Sequence, residues 1–363
     1  MRKTVFLSAL LICFLLTAPA LAAESTRSLK VELSPAAAAH FRVENLAGSM
    51  QVLPARDGKV TAVATIHAES DKLASLMRFE QVSGEGGVPT LRVIYPLDRY
   101  DTIRFGSKDH EEGFLSFLTG SSTNTTYDGR RVRISGSGGV LLYADVEVRV
   151  PSITGLEASF RNVVGALHGE DVEGNLRFDS GSGDISLERL AGEVQADTGS
   201  GDVKAVNLSG TFSCDTGSGD CSLNGFQGEK LSLNVGSGDV TVKSGKVRAI
   251  SADTGSGDIH VLDTEVERFD ADTGSGDVVL ESRGSRLSMV KADTGSGDVT
   301  LRLSPQATFE ARADQGSGRV RTGYKDADAI LEDRHVIGYR RGDTRIRIDV
   351  STGSGDLTIE PLP

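Results

Sequence analysis

Two columns of carboxylates are the residues of this chain whose type and spacing could do chemistry. The first reads Asp179, Asp197, Asp215, Asn234, Asp253, Asp272, Asp293, Asp314 and Ser351. The second reads Asp184, Asp202, Asp220, Asp239, Asp258, Asp277 and Asp298, then Arg319 and Asp356. Stacked carboxylates repel, so something must offset them. Calcium is one candidate, but the nonapeptide Gly-Gly-x-Gly-x-Asp pattern of calcium β-rolls is not met. The other is local: a side-chain oxygen accepts backbone N–H groups of the turn, and the glycines supply positive φ. Asn234, Ser351 and Arg319 favour the second reading, because Asn and Ser are good turn acceptors and Arg is a poor neighbour for a cation. Asp197, Gly199, Gly201 and Asp202, like Asp253, Gly255, Gly257 and Asp258, are therefore expected to be structural turns. No metal and no cofactor is expected.

Catalysis finds little support in the same residues. A polysaccharide-active enzyme would set apart one pair of carboxylates, whereas equivalent Asp residues recur here in every repeat. The histidines His40, His67, His110, His168, His260 and His335 share no metal-ligand spacing. No Gly-x-Ser-x-Gly nucleophile motif is present. The expectation is a protein that is not an enzyme.

The elements that carry these columns follow from the repeat. Gly-Ser-Gly-Asp begins at Gly181, Gly199, Gly217, Gly236, Gly255, Gly274, Gly295 and Gly353, with a variant at Gly316 that ends in Arg319. Successive steps are 18, 18, 19, 19, 19, 21, 21 and 37 residues. The last is about two periods, as if one coil had lost its motif. Apolar columns flank the motif: Ile185, Val203, Cys221, Val240, Ile259 and Val278 after it, and Leu176, Val194, Phe212, Leu231, Ile250 and Phe269 before it. Polar residues alternate with them, which is strand periodicity on both sides of a glycine arc. The fold class is all-β, a parallel β-solenoid (β-helix) of roughly 19-residue coils, stacked because no coil buries enough apolar area alone. A β-sandwich of hairpins would have no reason to keep identical turns at constant period. Pro361 and Pro363 are expected to blunt the final sheet edge.

Residues 1–22 read as a signal peptide: Arg2 and Lys3, an apolar run from Val5 to Thr17, then Ala20-Leu21-Ala22. No other stretch could serve as a transmembrane segment, so a periplasmic or secreted protein is expected. The chain carries −12, and loss of Arg2 and Lys3 would leave −14. Nucleic acid is a poor partner for such a charge. Residues 23–150 read as degenerate coils and a cap, with a polar insertion near 97–139, and residues 151–363 as the regular solenoid. Cys214 and Cys221 flank one arc and are expected to form a disulfide. The shaft lacks tyrosine, whereas Tyr100, Phe105, Phe114, Phe117 and Tyr127 lie in the insertion. They are the candidate partner contacts, unless the insertion serves to cover the open end of the solenoid.

The eight tetrads, Phe41-Arg-Val-Glu-Asn-Leu-Ala-Gly48, Val146-Glu-Val-Arg-Val-Pro151 and Ser351-Thr-Gly-Ser-Gly-Asp-Leu-Thr-Ile359 resemble the bacterial "putative adhesin" family. That is a domain of unknown function with repeated Asp-Thr-Gly-Ser-Gly-Asp turns, related to the head (GIN) domains of auto-transporter adhesins. The resemblance implies a β-solenoid at or beyond the cell envelope and offers no catalytic residues. The expected function is a non-enzymatic, adhesin-like interaction or scaffold protein whose partner is an envelope protein or glycan, with oligomers open. A calcium-stabilised solenoid and a polysaccharide-active β-helix enzyme are the alternatives.

Overall fold

A computed structural model describes residues 24–33, 37–106 and 122–363. The expected signal peptide, Phe114 and Phe117 lie outside them. Within them the chain is the expected all-β solenoid, two long sheets laid face to face. Each coil contributes one long strand, such as Ala191–Thr198, and one short strand, such as Val203–Val206. Long strands pair in parallel and in register from coil to coil, as Val194↔Phe212 and Ala196↔Cys214, with one shift between Gly210 and Thr211. Short strands do likewise, as Val203↔Cys221 and Ala205↔Leu223. The apolar columns of both sheets face one another and are buried from Leu176 through Ile359. Alternation with period two leaves the intervening polar residues on the outer faces.

The spatial order of the coils departs from chain order at both ends. Strand Ile346–Thr352 lies between Met289–Thr294 and Phe309–Gln315, parallel to both. Strand Leu357–Pro361 lies in the same way between Val299–Leu303 and Val320–Thr322. The 37-residue step is therefore not a coil without a motif. Residues 328–341 form an antiparallel hairpin on the outside of the Phe309 strand, and the chain then returns to fill the level beneath. Pro361 stands on an interior strand and not at the edge expected of it. The start of the fold mirrors this. Strand His40–Ala47 lies between Pro89–Ile94 and Glu157–Val164, and Met50–Pro54 lies between Val140–Val150 and Leu167–Glu170. At the outer levels, antiparallel strands (Arg78–Ser83 at one end, the 328–341 hairpin at the other) cover the long sheet.

Candidate functional site

The two Asp columns, equivalent in sequence, do different things. In the second column each carboxylate accepts the backbone N–H of its successor in the next coil: Asp202 N to Asp184 Oδ1 at 2.9 Å, Asp258 N to Asp239 at 2.8 Å, Asp277 N to Asp258 at 2.8 Å. The ladder ends where Arg319 N donates to Asp356 at 2.8 Å. Arg319 belongs to the outermost level, and no coil beyond it needs an acceptor. The reach is to the neighbouring coil, not within one arc.

The first column has no such role, which corrects the expectation for Asp197 and Asp253. Its residues point outward in one stacked row, Asp179↔Asp197↔Asp215↔Asn234↔Asp253. Asp197 takes a side-chain bond from Arg177 at 3.2 Å, and Asn234 donates to Asp215 at 3.3 Å. Burial and then the charges of Asp179 and Asp215 hold the Asp197 pKa above the ordinary carboxylate value, with Arg177 opposing. Asp272 is raised for the same reasons, burial first and then Asp293 and Asp253.

The arc itself is fastened by buried threonines. Thr198 Oγ1 donates to Gly183 O at 3.0 Å and accepts from Gly201 N at 3.2 Å, and Thr216, Thr254, Thr273 and Thr294 repeat the pattern. The motif glycines do not supply positive φ; that conformation belongs to the other arc, at Asp171, Arg189, Asn207, Gly225, Ser244 and Asp263. Gly199 is needed for closeness instead. A Cβ there would sit 2.5 Å from Gly181 O, and at Gly201, Gly255 and Gly257 it would sit nearer still to the carbonyl below. Sequence shows that glycine is required, but not which of these two reasons requires it.

Cys214 and Cys221 are free, buried thiols, not the expected disulfide. They face each other from opposite sheets as members of the inward columns. Burial, then the hydrogen bond with Cys214, pushes the Cys221 thiol well above its usual pKa. Two small apolar side chains filling core positions account for them.

The candidate contact aromatics turn inward. Phe105 is 3% exposed and meets Tyr143 edge-on at 5.2 Å. Tyr127 is 5% exposed, and its hydroxyl donates to Val93 O at 2.9 Å and lies 3.1 Å from Glu44 O. Tyr100 is half-buried against the core. Tyr127 thereby pins the hairpin Ser122–Tyr127 and Arg130–Ser135 across the end of the solenoid.

That docking encloses a polar groove of about 560 Å³ between hairpin and long sheet. Four guanidiniums, Arg42, Arg92, Arg161 and Arg177, line it against three carboxylates, Glu44, Asp128 and Asp179. Arg92 is held by Glu44 at 2.7 Å and Asp128 at 2.6 Å. Arg161 and Arg177 are looser, half-exposed, at 3.6 Å from Asp179 and 3.2 Å from Asp197. On a chain of charge −12 this gathers four guanidiniums in one place, with Asp197 as the fourth carboxylate beside them. Sequence gives no sign of it, because the arginines come from four strands.

A second unforeseen cluster lies on the short sheet. His67 Nδ1 is 2.7 Å from Glu24 and Nε2 is 3.0 Å from Asp145, with the ring stacked on Tyr143 at 4.5 Å. Ser49 Oγ donates to Asp145 at 2.7 Å, so the serine is joined to the carboxylate and not to the imidazole. This is the wrong order for an activated nucleophile. The Asp145 hydrogen bond leads in raising the His67 pKa, while burial opposes it. Among the described residues no three His, Cys, Asp or Glu side chains converge as metal ligands, and no helix is long and apolar enough to cross a membrane.

Comparison with known proteins gives the family. No curated protein matches the sequence significantly. Among solved structures, the chain is similar to a "putative adhesin" from Parabacteroides distasonis (10% identity, 93% of this chain and 97% of that one, TM-score 0.45). Another similar structure is a "putative adhesin" from Parabacteroides merdae (9%, 93% and 97%, TM-score 0.44). The model of the Toastrack DUF4097 family matches residues 144–360, more than half of the sequence and nearly all of the regular coils. The chain belongs to the Toastrack DUF4097 family.

Proposed function

We propose that the protein is a non-enzymatic, adhesin-like scaffold of the cell envelope or its exterior, and that it grips an anionic partner at the arginine groove. The observation that carries this is the pair Arg161 and Arg177, half-exposed and loosely held beneath a docked hairpin. Guanidiniums in that state can exchange a long internal contact for a bidentate carboxylate of a partner. The aspartate ladder supports the scaffold reading over calcium, since its carboxylates already accept backbone N–H groups. The resemblance of the repeated Asp-Thr-Gly-Ser-Gly-Asp turns to the bacterial "putative adhesin" family supports adhesion as the class. We read residues 23–150 as the cap and contact region, residues 151–363 as the shaft, and residues 1–22 as the export signal. Recovery of envelope partners on immobilised wild-type protein and on the Arg161→Ala, Arg177→Ala double variant tests the proposal. A loss of about tenfold or more is expected. Equal recovery by a variant with an unchanged melting curve would overturn it.

A further inference from the structure

Charge alternates from strand to strand along the arginine groove. Successive long strands set Arg92, Glu44, Arg161 and Asp179 side by side in one outward row, paired as Glu44↔Arg92, Arg161↔Glu44 and Arg161↔Asp179. Two residues earlier on the same strands, a second row sets Arg42, Ser159 and Arg177 side by side. Neighbouring strands stand about 4.8 Å apart, so the arginine positions of either row recur at about 9.6 Å. Between two arginines lies the carboxylate of Glu44 in one row and the hydroxyl of Ser159 in the other. Asp179 then follows Arg161, and Gln195 follows Arg177. The cations are thus spaced at twice the strand separation, with hydrogen-bond acceptors in the gaps.

The lining offers no apolar anchor. Among the described residues Tyr127 is its only aromatic or aliphatic member, and that ring is 5% exposed. Thr126, Asp128 and Gly129 make up the rest of the hairpin wall. Protein partners normally seat aromatic or aliphatic side chains in apolar pockets, which this wall lacks. A nucleic-acid strand would find no exposed aromatic on which to stack its bases. Its phosphates, about 3.4 Å apart along the duplex axis, would also fall opposite Glu44 and Asp179. A sugar chain meets neither obstacle. Its hydroxyls donate to carboxylates and accept from guanidiniums, and two units of an extended chain cover roughly two strand spacings.

We propose that the groove binds an acidic polysaccharide in which charged and neutral sugars alternate, an inference that rests on the anion-site reading above and adds the spacing of the charges. Carboxylates carried on every second sugar meet Arg161 or Arg177, the two loosely held guanidiniums. Neutral sugars stand over Glu44, Ser159 and Asp179, where their hydroxyls find acceptors. Asp179 is then a specificity residue. It turns away a chain charged at every sugar, because the additional carboxylate falls against its own.

Titration calorimetry on the full chain tests this with hexasaccharides of hyaluronan and unsulfated chondroitin, with hexagalacturonate and with hexaglutamate. Uronate and neutral sugars alternate in the first two, whereas every unit of the last two is charged. At least one alternating hexasaccharide should bind at least about tenfold more tightly than either fully charged oligomer. The Arg161→Ala, Arg177→Ala double variant should weaken that binding about tenfold or more. Asp179→Asn, on the outer face of the sheet, should strengthen hexagalacturonate binding severalfold and so narrow the preference. No binding of either alternating hexasaccharide, equal or tighter binding of hexagalacturonate or hexaglutamate, or an unchanged preference in Asp179→Asn would overturn the proposal. If the double variant nevertheless lost its envelope partners, the anion groove would stand without its polysaccharide; equal recovery would remove both.

Discussion

The backbone N–H of Asp356 donates to Oδ1 of Asp298 at 2.8 Å although 58 residues separate them. Asp356 in turn accepts from the N–H of Arg319, which precedes it in the chain. The aspartate ladder therefore runs 298, 356, 319, and its order in space is not its order in sequence. With His40–Ala47 likewise held one level inside the other end, the first and last full coils are both flanked by strands on two sides. A stack of repeats normally frays from its terminal coils; here those coils are clamped and the outer levels are covered by antiparallel strands.

Removing residues 346–363 should accordingly do more than shorten the rod. The deleted strands pair with Met289–Thr294 and Phe309–Gln315 in one sheet and with Val299–Leu303 and Val320–Thr322 in the other. Hydrogen exchange of the truncated protein should show lost protection throughout 309–341, with residues 173–262 protected as before. Protection retained across 309–341 would mean that the outer coil can dock directly on the Met289 level.

The two aspartate columns should respond oppositely to substitution. Asp258→Ala removes the acceptor for Asp277 N–H and should cost about 1 kcal/mol, whereas Asp258→Asn keeps an acceptor oxygen and should cost less. Asp253→Asn, in the outward row of like charges, should be neutral or slightly stabilising. Urea melts of the three variants check the order. Equal losses at both columns would show that the outward row also carries the arcs.

Much of this was legible in the sequence. Parallel in-register stacking makes each inward position a column, so Val203, Cys221 and Val240 could be aligned by eye and the fold followed. The level of each coil could not be read, because every coil presents the same columns and would fit at any height. Only Arg319, a ladder position without a carboxylate, marks the outermost level, and its meaning depends on the interleaving. The irregular end was also opaque. Phe105 and Tyr127 stand among polar residues, yet Phe105, just after the strand Thr102–Arg104, and Tyr127, on the hairpin, are both buried.

Close stacking, not backbone conformation, is the demand at the motif glycines, and two alanine substitutions separate these causes. Gly201→Ala would press a methyl onto the Gly183 carbonyl in the neighbouring coil, with backbone on both sides unable to yield. A loss of about 3 kcal/mol is expected. Gly58→Ala meets nothing within 4 Å but keeps φ at +69°, and should cost about 1 kcal/mol. Similar losses in chemical denaturation would argue that the arcs breathe enough to admit a methyl group.

The two thiols should be silent in the folded protein. Cys221 is fully buried with a raised pKa, so little thiolate is present at neutral pH and reagent has no access. Labelling by an aromatic disulfide reagent should be at least a hundredfold slower than in denaturant, with two thiols counted after unfolding of protein that lacks residues 1–22. Rapid labelling in native buffer would mean that the coil at Cys214 opens locally.

The His67 cluster should make stability depend on pH with a definite sign. Protonated His67 bonds Glu24, which adjoins the strand Ser25–Glu32, and Asp145, which also holds Ser49 N–H at 2.8 Å. Glu24, Asp145 and the Tyr143 ring are the groups that face it. Because the folded-state pKa of His67 is raised, its contribution is complete below the unfolded value near 6.5. That contribution falls away as pH rises through the higher folded value. Asp145 has the opposite sign: its pKa is lowered even though burial pushes it up, so its share fades only in acid. His67→Gln should therefore cost on the order of 1 kcal/mol near pH 5–6 and progressively less above neutrality. Melting curves of both proteins between pH 5 and 9 check the slope. A difference that grows with pH would mean that His67 is held as the neutral imidazole and that Asp145 is neutralised by another group.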